Sequence, residues 1–202
     1  MMFQMRFHGR GGQGVVTAAE MLSVAAFIEK KHAQAFPSFG SERMGAPVMS
    51  FCRISEKEIR LRDPIYEPDA LIIQDPTLLS DASIFGGLKP NGYVLINSGK
   101  DLSKLDLPDH VLALPEGHLL SIPATELALE HIGRPLPNAV MLGGMAALSG
   151  VIDVASIIEA ISRTFPGKIA EMNIDAASAA FKLVESKKNS YANNNKGEAI
   201  AC

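Results

Sequence analysis

Apolar and polar residues alternate from Met2 to His8, placing Phe3, Met5 and Phe7 on one side, which is the period of a strand. Gly9-Arg10-Gly11-Gly12-Gln13-Gly14 follows at once, and from Gly14 to about Lys30 the pattern turns helical. Val15, Ala18, Ala19, Leu22, Ala25, Ala26 and Ile28 fall on one face of that helix. A second strand is predicted over His32–Phe36, then a loop from Pro37 to Ala46. Val48–Ile54 and Glu58–Leu61 predict a β-hairpin across Ser55-Glu56-Lys57. Leu71-Ile72-Ile73 reads as a short buried strand ending at Gln74-Asp75, and Tyr93–Asn97 as another, announced by the turn Lys89-Pro90-Asn91-Gly92. Val111–Leu114 and His118–Ile122 are expected to be edge strands. The remainder is helical over Ala124–Ile132, Asn138–Leu148, Val154–Phe165 and Ile169–Val184, with Asn138 and Asp153 as N-caps. This order predicts an α/β fold with three layers, a mixed and mostly parallel sheet between helices. Residues 1–185 form one domain, and from Ser186 a polar, aperiodic tail is expected to be mobile.

The passage from strand to glycine turn to helix is the chemically suggestive part. Glycines let a backbone approach a phosphate closely, and the free N–H groups and dipole of a helix N-terminus attract its charge. Gly9-x-Gly11-x-x-Gly14 matches the dinucleotide fingerprint, and the Arg10 guanidinium can pair with phosphate oxygens. Gly9, Arg10, Gly11, Gly12, Gln13 and Gly14 are therefore the candidate phosphate contacts. The alternative is that these glycines simply let the strand pack closely on the helix. A dinucleotide site also needs an acidic residue about 20 residues on, at the end of the second strand. That strand ends in Ala35-Phe36-Pro37, and Glu20 and Glu29 lie in the helix instead, so the pattern does not support an NAD or FAD site.

Composition narrows the function further. At 202 residues and 47% hydrophobic, the chain can bury a substantial core. A net charge of −3 gives no reason to expect a nucleic-acid partner. Cys52 and Cys202 imply no disulfide framework and suit a reducing cytoplasm. No basic segment followed by an apolar one opens the chain, and no apolar run is long enough for a bilayer, so no membrane association is expected. Two cysteines fall short of the four thiolates of an iron–sulfur cluster. No Gly-Asp-Gly with a following Asn, as thiamine enzymes use for metal and diphosphate, is found. His8, His32, His110, His118 and His131 lack metal-ligand spacing, and no Gly-x-Ser-x-Gly elbow is present. No catalytic or metal-binding residue is expected in this chain.

Several longer motifs carry a resemblance. These are Phe7–Ala19, Gln34–Pro47, Asp63-Pro64-Ile65-Tyr66-Glu67-Pro68-Asp69, Asp75-Pro76-Thr77-Leu78-Leu79 and Asn138-Ala139-Val140-Met141-Leu142-Gly143-Gly144. In this order, over about residues 3–185, the chain resembles the gamma subunit of 2-oxoacid:ferredoxin oxidoreductases, most closely the pyruvate type (pyruvate synthase). The resemblance implies a fold like domain III of pyruvate:ferredoxin oxidoreductase and a place in a multisubunit complex. The complex converts a 2-oxoacid, coenzyme A and oxidised ferredoxin into acyl-CoA, carbon dioxide and reduced ferredoxin. It also implies alpha, beta and delta partner subunits that hold thiamine diphosphate, Mg and [4Fe-4S] clusters, with ferredoxin contacted only indirectly. The gamma chain would handle coenzyme A and subunit contacts. A gamma subunit for a branched-chain 2-oxoacid (2-ketoisovalerate) and a stand-alone nucleotide-binding regulatory module are the alternatives.

Three further features take their meaning from that setting. The Pro37–Pro47 loop mixes large apolar groups with hydroxyls and an arginine, as the core and rim of an interface do. Phe39, Ser41, Glu42, Arg43 and Met44 are the expected contacts with the thiamine-binding subunits. The alternative is a self-stabilised loop with Glu42 paired to Arg43 or Arg53. Asp63, Glu67, Asp69 and Asp75 stand beside prolines and strand ends, where turn and capping roles are expected. Gly143-Gly144 inside a helix costs about 1 kcal/mol per glycine against alanine. Close approach of another helix, a subunit or a ligand would offset that, and a subunit contact is preferred to a ligand.

Overall fold

The computed structural model describes residues 2–38 and 44–198, with side chains as far as Tyr191. Its strands are β1 (Met2–Arg10), β2 (His32–Pro37), β3 (Pro47–Ser55), β4 (Ala70–Ile73), β5 (Tyr93–Asn97) and β6 (Leu119–Ile122), joined in one sheet of order β2-β3-β1-β4-β5-β6. β1, β4, β5 and β6 run parallel, and β3 is antiparallel to both β1 and β2. The helices are α1 (Val15–Ile28), α2 (Asp109–Leu112), α3 (Ala124–Ile132), α4 (Asn138–Ser149), α5 (Val154–Thr164) and α6 (Gly167–Glu198).

The strand alternation decides what each face of the sheet meets. Met5 and Phe7 of β1 are fully buried in the larger core, with Ile72, Leu95 and the apolar faces of α1, α4, α5 and α6. β4 and β5 are buried on both faces, which explains their unbroken apolar runs. Their other side chains, Leu71, Ile73, Val94 and Ile96, build a second core. It is covered by two 3-10 turns, Pro76–Ser80 and Ala82–Phe85, and by the single turn of α2. The expected α/β fold and mixed, mostly parallel sheet are present, with one face carrying long helices and the other only short turns.

Two strand expectations fail for one reason, competition for sheet edges. Glu58–Leu61 forms no strand, because Val48–Ile54 already has β1 on one edge and β2 on the other. No ladder edge of β3 remains for a hairpin partner. Residues 111–114 form no strand either, since Leu119–Ile122 takes the free edge of β5 in parallel register. Val111 instead lies in α2 and is fully buried in the second core.

The long helices match their predicted spans, with differences at the ends. Asn138 is the first residue of α4 rather than its cap, and its Oδ1 accepts from the Ala139 N–H at 2.9 Å. Asp153 caps α5 by position only; its own N–H donates to Glu29 Oε1 at 2.8 Å. α6 passes the expected boundary at 185/186 and continues to Glu198. The polar composition there hides two anchors: Lys187 Nζ donates to the Ser121 carbonyl at 2.7 Å, and Lys188 Nζ to the Ala147 and Leu148 carbonyls at 2.8 and 3.0 Å. Those last two lie in the final turn of α4, where carbonyls lack helical partners.

The two glycines of α4 find their reason inside the chain, not at a subunit contact. A Cβ on Gly143 would stand 2.1 Å from the Ala177 carbonyl oxygen of α6. One on Gly144 would stand 3.0 Å from Leu95 Cδ2 of β5 and Ile122 Cδ1 of β6. α4 is thus wedged between α6 and the sheet, and its residues 138–148 are all buried.

Candidate functional site

The glycine turn sits where β1 leaves the middle of the sheet. Gly9 and Arg10 still pair with Val48 and Pro47 of β3, so the turn proper begins at Gly11. The Gly11 N–H donates to the Ala46 carbonyl at 2.9 Å, and the Gly45 N–H returns a bond to the Gly11 carbonyl at 3.2 Å. The turn is thereby tied to the end of the loop that follows β2.

The six candidate residues divide by role. A Cβ at Gly9 would meet Val15 Cγ2 at 2.6 Å, and one at Gly14 would meet Asn138 Nδ2 at 2.5 Å. At these two positions close packing explains the glycine. Gln13 is a brace: its Oε1 accepts from the Arg10 N–H at 2.8 Å and its Nε2 donates to Asp75 Oδ2 at 2.8 Å. Gly12 differs, with φ at +97° and Met44 Sδ as the nearest atom to an added Cβ, at 3.2 Å. The first bond of α1 runs from the Ala18 N–H to the Gly14 carbonyl at 2.9 Å, so the amides of Val15, Val16 and Thr17 precede any helical acceptor. Gly11, Gly12 and those three residues line an open cleft of about 490 Å³.

Arg10 lines the same cleft and is held there as a braced wall. Its Nε and Nη2 donate to Thr77 Oγ1 at 3.0 and 2.8 Å, its Nη1 to the Gly45 carbonyl at 3.0 Å, and its Nε lies 3.5 Å from Asp75 Oδ2. Asp75 in turn accepts from the Thr77 hydroxyl at 2.5 Å and the Thr77 N–H at 2.9 Å. Burial pushes the Asp75 carboxyl up, but hydrogen bonds from Thr77 and Gln13 and the charge of Arg10 outweigh it and hold it below the usual carboxylate range. The capping role expected of the acidic residues is seen at Asp75; Asp69 instead accepts from the Gln4 N–H of β1 at 2.8 Å and pairs with Lys89 Nζ at 2.7 Å.

Of the loop residues expected at an interface, Phe39, Ser41, Glu42 and Arg43 lie outside the described residues. Met44 is described, 89% exposed at the rim of the glycine cleft. The described partners of Arg53 include Gln4 Oε1, to which its Nε donates at 3.1 Å, the Asp63 carbonyl, to which its Nη2 donates, and the Phe36 ring, over which its guanidinium lies at 5.3 Å.

A second cleft of about 710 Å³ opens on the other side of Arg10, lined by residues that the sequence does not bring together as a site. Arg6, His8 and Arg10 line it, being the alternate positions of β1 that face away from the larger core, with Thr77, Ser80 and Ser83 across from them. The signal in the sequence is a polar stripe, one residue out of phase with Phe3, Met5 and Phe7. Burial, then the charge of Arg6, pushes His8 down to about 3 against a smaller opposing effect of Asp81. Among the described residues no group of three or more His, Cys, Asp or Glu side chains could hold a metal, and no helix is long and apolar enough to cross a membrane.

Known proteins supply the context for this geometry. Residues 4–183 match the family model of pyruvate ferredoxin/flavodoxin oxidoreductase. The chain is 46% identical over 184 residues to "Pyruvate synthase subunit PorC" of Methanothermobacter thermautotrophicus, covering 91% of this chain and 97% of that one. It is equally 46% identical to "Pyruvate/ketoisovalerate oxidoreductases common subunit gamma" of Pyrococcus abyssi, covering 91% and 98%. Among solved structures, pyruvate oxidoreductase subunit PORC of Thermotoga maritima aligns with a TM-score of 0.75 and 32% identity, over 90% of this chain and 96% of that one. The gamma subunit of a keto/oxoacid ferredoxin oxidoreductase from Geobacter sulfurreducens aligns with a TM-score of 0.72 and 26% identity, over 91% and 99%. The chain belongs to the pyruvate ferredoxin/flavodoxin oxidoreductase family and is a gamma-type subunit of it.

Proposed function

We propose that this chain serves in the cytoplasm as the coenzyme A-handling subunit of a complex that oxidises pyruvate or a related 2-oxoacid with ferredoxin as acceptor. Thiamine diphosphate with its Mg and the [4Fe-4S] clusters belong, in this reading, to alpha, beta and delta partners. The gamma chain binds, orients and closes over the coenzyme rather than moving electrons. The observation that carries the reading is the division within the glycine turn. Gly9 and Gly14 are accounted for by packing, whereas Gly12 and the first amides of α1, without acceptors among the described residues, face an open cleft. A phosphate of coenzyme A fits that set of donors. The Pyrococcus relative is named as common to pyruvate and ketoisovalerate enzymes, which supports placing 2-oxoacid choice outside this subunit.

The test is Gly12→Val in the reconstituted complex. The positive φ of Gly12 makes valine cost some stability, and the reading expects the KM for coenzyme A of the folded complex to rise as well. A chain that loses stability while its folded fraction keeps the normal KM for coenzyme A would overturn it.

A further inference from the structure

The cleft beside Arg6 contains a buried positive charge without a counter-ion. Arg6 is only 8% exposed. Its Nη2 donates to the Ile84 carbonyl at 2.8 Å and to the Gly86 carbonyl at 2.7 Å, while its Nε is buried with no partner among the described residues. Among the described residues no carboxylate pairs with it, and burial alone pushes its guanidinium down. Two residues along the strand, His8 is 7% exposed and its Nε2 is likewise buried without a partner. Buried polar atoms without partners are rare in folded proteins, and a buried unpaired charge more so, unless a ligand, ion or water meets them.

The surroundings specify the ligand. Arg6, His8 and Arg10 follow one another at about 6.8 Å along one face of β1. Ser80 and Ser83, both exposed, stand on the 3-10 turns opposite; the Ser80 hydroxyl donates to the Thr77 carbonyl at 3.1 Å, and Asp81, hydrogen-bonded by Ser83, lines the cleft beside them. Guanidinium donors on the strand, faced by hydroxyls that can rotate from their internal acceptors toward a ligand, suit a tetrahedral oxyanion better than a planar carboxylate, which a single guanidinium fork would satisfy. Val48, Met49, Leu78 and Ile84 complete the walls with apolar surface, and the cleft is much larger than one phosphate. We propose that this cleft binds the phosphate of a phosphate-bearing small molecule between Arg6, His8 and the Ser80–Ser83 wall, at a site separate from the glycine turn. Arg10 is the shared partition between the two clefts.

The experiment is a titration of the full chain with inorganic phosphate and with adenosine 3′,5′-bisphosphate, followed by NMR of the histidine side chains. The His8 resonance is assigned as the one missing from His8→Gln. Acetate at matched ionic strength is the carboxylate arm. The proposal expects a saturable shift of the His8 resonance with both phosphates and none with acetate. Arg6→Gln is the obvious variant but removes the anchor of Ile84 and Gly86, so Ser83→Glu is the informative one. It places a carboxylate on an exposed wall opposite Arg6 and should weaken the phosphate response about tenfold or more while the chain keeps its melting temperature. Gly12→Val should leave the response intact, which keeps this site distinct from the coenzyme A reading. No saturable shift, an equal response to acetate, an unchanged response in Ser83→Glu, or loss of the response in Gly12→Val would each overturn the assignment.

Discussion

Replacing Gly143 by alanine isolates what holds α4 against α6. In an exposed helix this change stabilises by about 0.5–1 kcal/mol, since glycine loses more backbone freedom on folding. Here the new methyl would stand 2.1 Å from the Ala177 carbonyl oxygen, 2.7 Å from its carbon and 2.8 Å from its Cα. A carbon and a carbonyl oxygen rest no closer than about 3.3 Å, so the two helices must part by about 1 Å. The obstacle is helix backbone, and Ala176, Ala177, Ala180 and Val184 around it are fully buried, so no flexible side chain can yield. Overpacking of this kind costs about 1–3 kcal/mol and more where backbone must move, leaving a net loss near 2 kcal/mol after the propensity gain. For a chain of this size that is a fall in Tm of about 4–8 °C. Gly144→Ala is the internal control: it meets Leu95 Cδ2 and Ile122 Cδ1 at 3.0 Å, terminal methyls that can turn aside. Its net effect should stay within about 1 kcal/mol of zero. Thermal and urea unfolding of the purified variants measure both. A Gly143→Ala chain as stable as the parent, or less damaged than Gly144→Ala, would refute the packing argument and restore the subunit contact as the reason for the glycine.

Three outcomes in titration and labelling are expected as well. Unfolded His8 takes a proton below its ordinary 6.5, whereas in the fold it does so only near 3, so acid favours the unfolded chain through that window. Stability should fall with pH there by up to about 1.4 kcal/mol per unit, and His8→Gln should flatten the slope in urea unfolding between pH 6 and 4. The Asp75 carboxyl is held below its ordinary range, so its contribution is present at neutral pH and lost as pH drops through its folded value. Asp75→Asn should therefore destabilise the chain at pH 7 and differ progressively less from the parent below about pH 4 in thermal unfolding. Burial pushes the Cys52 thiol well up, and the residue is fully enclosed between β1 and β2. Peptide mapping after iodoacetamide treatment of the folded chain should find Cys52 unmodified until denaturant is added, and labelling at native pH 8 would contradict its burial.

Local periodicity and the succession of motifs carry a large share of this protein in the chain itself. The alternation of β1, the apolar runs of β4 and β5, the turn at Gly11–Gly14 and the helices α1, α3, α4 and α5 are legible there, because each depends on neighbours a few residues away. The order of the motifs from Phe7 to Gly144 likewise points to the family on its own. Competition and convergence between distant segments settle the rest. Glu58–Leu61 has the composition of a strand, but the edges of β3 are occupied by β1 and β2, which no local window can report. Ser186–Ser190 reads as a solvated tail, yet Lys187 and Lys188 reach carbonyls on β6 and α4 that lie 66 and 40 or 41 residues away along the chain. The glycine turn is visible as a motif, but which of its glycines pack and which open onto a cleft depends on Val15, Asn138 and Met44 arriving beside them. The stripe of Arg6 and His8 becomes a candidate site only when the turn Ala82–Phe85 folds over it and leaves the guanidinium enclosed without a counter-ion among the described residues. Side-chain periodicity assigns a residue to a face, and the chain that returns from far away in sequence determines what that face meets.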